Sequence, residues 1–146
     1  MITQQDIDDV ASLADPLPVH TPLEMVRQFA TAMGHPLDEK WRFNRDLEDL
    51  RYRLVAEEFG EFSDESDAGN RPAAMLSELA DIVYVVYGYA ATFGWDLDEA
   101  VRRIHTANMS KLGPDGKPLY RPDGKVLKGP NYSKADLSDL VRTTNE

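Results

Sequence analysis

Two carboxylates stand where water is scarce. Glu78 and Asp81 are the only charged residues between Met75 and Phe93, in the run MLSELADIVYVVYGYAATF. A helix this apolar around its circumference is normally buried. Acids are almost never fully buried unless they are paired or bind a cation. Glu78 and Asp81 are three residues apart and share a helix face. Upstream, Glu57, Glu58 and Glu61 form an EExxE run with the same helical spacing. More acid nearby offers no basic partner. A hard divalent cation with oxygen ligands, such as Mg²⁺ with Mn²⁺ as a substitute, is the simplest resolution.

The elements that carry these groups follow from the same stretch. Leu47, Leu50, Leu54, Val55, Phe59 and Phe62 recur at helical spacing, so a helix opens near Asn44 as its cap and runs to about 67. Taken alone, its EExxE face reads as a solvated acidic surface. Residues 63–71 are polar and read as a turn, with Pro72 opening the next helix. A short connection makes the two helices antiparallel neighbours. Glu58 and Glu61 lie about two turns before it, and Glu78 and Asp81 about two turns after. The four carboxylates then meet at one level.

The remaining elements frame this pair. Thr21-Pro22-Leu23-Glu24 is a capping box that opens a helix closed by Gly34. Asp96 caps a further helix that ends in HTANMSK, residues 105–111. Residues 113–130 contain PDGK twice and read as a small β-hairpin. Ser133, with Asp136 three residues on, opens a short last helix. Residues 4–13 form a possible short helix within an N-terminal arm over 1–20. Trp41 reads as packing, beside Lys40 within reach of a phosphate. Tyr84, one turn beyond Asp81, can line a pocket.

The pattern EExxE, sixteen residues, then ExxD resembles the signature of the MazG-like, all-α NTP pyrophosphohydrolases. That superfamily includes MazG, dimeric all-α dUTPases and phosphoribosyl-ATP pyrophosphohydrolase. The HxxNxSK run is a second point of resemblance. The likeness implies an all-α bundle of about four main helices, with the C-terminal hairpin and short helix added, in one domain over 1–146. It implies hydrolysis of a nucleoside triphosphate to the monophosphate and pyrophosphate. Glu58, Glu61, Glu78 and Asp81 match the metal-binding positions. Glu57 matches the first acid, as an extra ligand or the base that orients water. Asn108 and Lys111 match positions near the sugar and phosphates. Arg121 and Lys125, in a basic hairpin over 112–132, are candidate lid residues over the phosphate end. dUTP or another non-canonical deoxynucleotide is the favoured substrate, with phosphoribosyl-ATP as the alternative.

Composition bounds the rivals. Net charge is −10, which argues against a nucleic-acid partner and a nuclease. Residues 1–110 hold 9 basic and 21 acidic side chains, whereas 111–134 hold 6 and 2. An acidic body followed by a basic segment suits a metal–phosphate ligand. With no cysteine there is no disulfide or thiolate site. No P-loop, GxGxxG turn, HExxH or ExxH spacing is present. No uncharged apolar run reaches membrane length, so a cytoplasmic protein without a membrane partner is expected. The apolarity of the Met75–Phe93 helix exceeds what one small bundle buries, so a homodimer or dimer of dimers is expected. A non-catalytic helical interaction module is the rival from another class.

Overall fold

The computed structural model describes residues 20–41 and 44–141. The expected N-terminal arm, apart from His20, lies outside the described residues. Among the described residues four α-helices carry the fold: α1 (Pro22–Met33), α2 (Arg45–Ala68), α3 (Pro72–Thr92) and α4 (Leu97–Met109).

Local chemistry sets most of their ends. The Thr21 hydroxyl accepts from the Glu24 amide at 3.3 Å, and Glu24 accepts from the Thr21 amide at 2.8 Å. Gly34 stops α1 in the left-handed region at φ 69°. Asp96 accepts from the Glu99 amide at 2.9 Å and so caps α4. Asn44 sits at the start of α2, but its side chain does not cap it; the amide donates to Glu39 and to the Lys40 carbonyl. The polar stretch expected as a turn from residue 63 is helical as far as Ala68. The reversal is confined to Gly69, Asn70 and Arg71, because glycine at φ 69° and asparagine at φ 55° supply the left-handed backbone a tight link needs.

The core is small and lies at one end of α3. Val26, Tyr87 and Ala91 form its buried centre, with Leu23, Leu37 and Leu97 packed against it. The chain after α1 docks there through backbone bonds from Asp38 to Ala91 and from Glu39 to Thr92. Arg27 clamps the Asp38 carboxylate with two bonds, at 3.0 and 2.8 Å. The α2 helix packs along α3 yet has no buried residue.

Two expectations for the C-terminal segment fail. The hairpin reduces, among the described residues, to one antiparallel bridge between Tyr120 and Val126. Pro118 and Pro122 remove backbone donors there. Leu119, Tyr120, Val126 and Leu127 are all exposed, so no apolar face docks a sheet on the bundle. The last helix is a single 3-10 turn, Ser138–Leu140. Ser133 donates its amide to Ser110 rather than opening a helix, and Asp136 caps the turn by accepting from the Ser138 amide and hydroxyl.

Candidate metal centre

The antiparallel pair brings Glu58 of α2 to Glu78 and Asp81 of α3. Each offers a carboxylate oxygen, and these oxygens lie within 4.8 Å of one another. Glu58 and Glu78 are half-buried and Asp81 is exposed. The Glu78 Oε2 atom is buried and has no hydrogen-bond partner. Burial pushes the Glu78 carboxyl above its usual range, and the charges of Glu61, Asp81 and Glu65 add to it. Burial also raises Glu58, followed by repulsion from Glu61, Asp81, Glu57 and Glu78. Such mutual elevation marks negative charge gathered without a base.

Glu61 stands outside the tight group but acts on both Glu58 and Glu78 through its charge. Glu57 is exposed and bears on Glu58 alone among the raised carboxyls. Glu65, a turn after Glu61, pairs with Arg71 at 2.7 Å and so closes the link between the helices. An all-oxygen donor set with an orphaned buried atom fits a hard divalent cation, which removes the repulsion and satisfies Glu78.

The expected substrate residues scatter more widely. Lys111 donates to the Asn108 side chain at 2.8 Å at the end of α4. No hydrogen bond or ion pair among the described residues joins either to the carboxylates. Arg121 is spent on Asp123, through Nε at 2.9 Å and a second short contact. Lys125 and Lys40 are exposed. Tyr84 stacks edge-on to Phe29, with ring centres 5.7 Å apart. It lines a cavity of about 140 Å³ together with Phe29, His35 and Arg51.

Several contributors go beyond the residues expected from the sequence. Arg103 holds Asp139 at 2.6 and 2.9 Å, Glu99 at 2.7 Å and the Asp136 carbonyl at 2.9 Å. Ser110 of the HxxNxSK run anchors the tail through Ser133. Arg51 was detectable in principle, as a lone cation within the apolar stripe of α2 and seven residues before Glu58.

The sequence profile of the phosphoribosyl-ATP pyrophosphohydrolase family matches residues 26–108, a span that runs from α1 to Asn108 and includes all five acids. The chain belongs to this family. Its superfamily is that of the MazG-like all-α NTP pyrophosphohydrolases. This family member is also 29% identical over 127 residues to "Uncharacterized protein L479" of Acanthamoeba polyphaga mimivirus. That match covers 83% of the chain and 48% of the relative, so the chain spans about half the relative's length.

Proposed function

We propose that this member of the phosphoribosyl-ATP pyrophosphohydrolase family is a Mg²⁺-dependent cytoplasmic enzyme. It hydrolyses dUTP or another non-canonical deoxynucleoside triphosphate to the monophosphate and pyrophosphate. The observation that carries this reading is the three-carboxylate group with its unpartnered Glu78 oxygen, inside the family-matched span.

Glu58, Glu78 and Asp81 hold the cation, with Glu61 beside them and Mn²⁺ as a substitute. A divalent ion bound there neutralises phosphate charge and makes a water more acidic. Glu57, exposed next to the ligand Glu58, orients the attacking water and takes its proton. The water oxygen bonds to the α-phosphorus, the bond to the bridging oxygen breaks, and pyrophosphate leaves. Asn108 and Lys111, already joined to each other, meet the sugar and phosphates. Lys40 and the basic segment with Arg121 and Lys125 add positive charge at the phosphate end, the segment serving as a lid over 112–132 of a single 1–146 domain. The active form is a homodimer or dimer of dimers. Phosphoribosyl-ATP is the second reading, favoured by the family profile itself.

A panel of NTPs, dNTPs and phosphoribosyl-ATP, with and without Mg²⁺, tests this. Monophosphate and pyrophosphate are expected, lost in Glu61→Ala and Asp81→Ala. Orthophosphate as product identifies a different phosphohydrolase. No turnover of any nucleotide sinks the enzyme reading and leaves the interaction module.

A further inference from the structure

A second unresolved charge lies away from the carboxylates. Arg51 is half-buried on α2, and its Nε is buried without a hydrogen-bond partner. No ion pair involves it among the described residues. Burial alone acts on its guanidinium, lowering its affinity for a proton. Arg27 and Arg103 are, by contrast, each clamped by a carboxylate. A half-buried guanidinium with an unpartnered, buried Nε is costly, so a fold that keeps one has a use for it.

The surroundings say what it meets. Arg51 lines the 140 Å³ cavity with Phe29, Tyr84 and His35, over Val26, Ala30 and Gly88. Phe29 packs edge-on against both His35 and Tyr84, each with ring centres 5.7 Å apart. At Gly88 a Cβ would stand 3.8 Å from an Arg51 guanidinium nitrogen, an ordinary van der Waals contact, so the α3 backbone lies alongside the cation. Whole small-molecule pockets run to roughly 300–1,000 Å³. At about 140 Å³ this one has room for only part of a ligand, the size of one flat ring between aromatic edges and a guanidinium. It shares the α2–α3 groove with the carboxylates, since Arg51 precedes Glu58 by two turns, about 10 Å of rise. Tyr84 likewise follows Asp81 by one turn.

We propose that this cavity takes the nucleobase of the substrate and that Arg51 selects bases with a carbonyl oxygen at pyrimidine C4 or purine C6 over those with an amine at that position. The inference rests on the nucleotide reading of the carboxylate site. Arginine has five donors and no acceptor. A keto base such as uracil or guanine gives it acceptors, whereas an amino group there sets donor against donor. Discrimination of this kind is large because the mismatch leaves a buried polar group unmade.

The test compares wild type with Arg51→Met, which keeps the length and removes the donors. dUMP, dGMP, dCMP and dAMP are titrated calorimetrically, and kcat/KM is measured for the four triphosphates. Wild type is expected to favour dUMP over dCMP and dGMP over dAMP by at least tenfold. Arg51→Met is expected to lose that preference, bringing the values for each keto base and its amino counterpart within about twofold of one another, and to melt no lower than wild type. Equal preference in both proteins overturns the proposal. A uniform loss across all bases also overturns it, because it places Arg51 on the phosphates. A lower melting temperature with unchanged preference makes the arginine structural. Keto-selective binding without turnover of any triphosphate refutes the hydrolase reading and leaves the cavity assignment standing.

Discussion

At Glu78 burial and charge oppose each other, and the outcome depends on what binds. Glu78→Gln removes the charge but keeps the shape. Without metal the variant is expected to melt at or above the wild-type temperature, because a raised carboxyl gives way to a neutral amide. With Mg²⁺ at a hundredfold excess over its Kd, wild type is expected to gain roughly 5–10 °C through linkage. The variant gains little, and its turnover falls about 10²–10³-fold, the scale of losing one group that stabilises developing charge. Thermal scans with a metal titration check both. Asp139 gives a pH prediction of opposite sign. The Arg103 guanidinium holds its carboxyl below the usual range. A depressed folded pKa means stability that is present above the unfolded value and lost as pH falls through the folded one. Asp139→Asn should therefore melt below wild type at pH 7, and the gap should close as the pH drops below the ordinary carboxylate range of about 3.9. The acids at this scale were legible because charge inside an apolar run conflicts with burial. Arg103 was not, since an arginine on a helix has ordinary uses and only packing shows which one applies; Arg51 carried a weaker signal, as a cation set within the apolar stripe of α2.

At the scale of elements, capping chemistry was the most readable part of the chain. Thr21, Gly34 and Asp96 act where their types place them, because caps are local and need no tertiary partner. The antiparallel α2–α3 pair was readable for a similar reason: a short link leaves few ways to turn. The C-terminal segment was misread because its two PDGK turns promised strands whose apolar residues have nothing to cover them. What holds that segment is a close backbone approach. The Gly129 amide donates to the Lys111 carbonyl at 2.9 Å. A Cβ at 129 would stand 2.5 Å from the Leu112 carbonyl oxygen and 2.7 Å from that of Lys111. Gly129→Ala is expected to cost about 1–3 kcal/mol, as overpacking does. Its effect should be local: limited proteolysis should cut within 112–132 earlier than in wild type, while the α1–α3 amides keep their exchange protection. Equal cleavage in both proteins would show that the segment is not held by this contact.

For the whole molecule the question is what covers α3. This helix has 21 residues and a window of mean hydropathy 1.2, and only 11% of that window is buried within one chain. By length and composition it passes for a membrane span. Glu78 and Asp81 in its first half argue otherwise, since a carboxylate in hydrocarbon costs about 2.5–3.5 kcal/mol on insertion scales. A protein surface is the better cover. Leu76, Leu79 and Val83 follow helical spacing along α3 and are 67%, 46% and 50% exposed. On α2, Tyr52 and Phe59 are two turns apart and 67% and 61% exposed. Exposed apolar side chains gathered on two packed helices mark an interaction site in a water-facing protein. A second copy of the chain offers the same surface, and two-fold pairing of identical patches closes without leaving any exposed. Light scattering on the purified protein is expected to give two or four times the 16.4 kDa chain mass. Leu76→Glu should shift it to one chain mass and lower the melting temperature, which for wild type should rise with protein concentration. A wild-type mass of one chain, with melting independent of concentration, would reject the assembly and require another cover for α3.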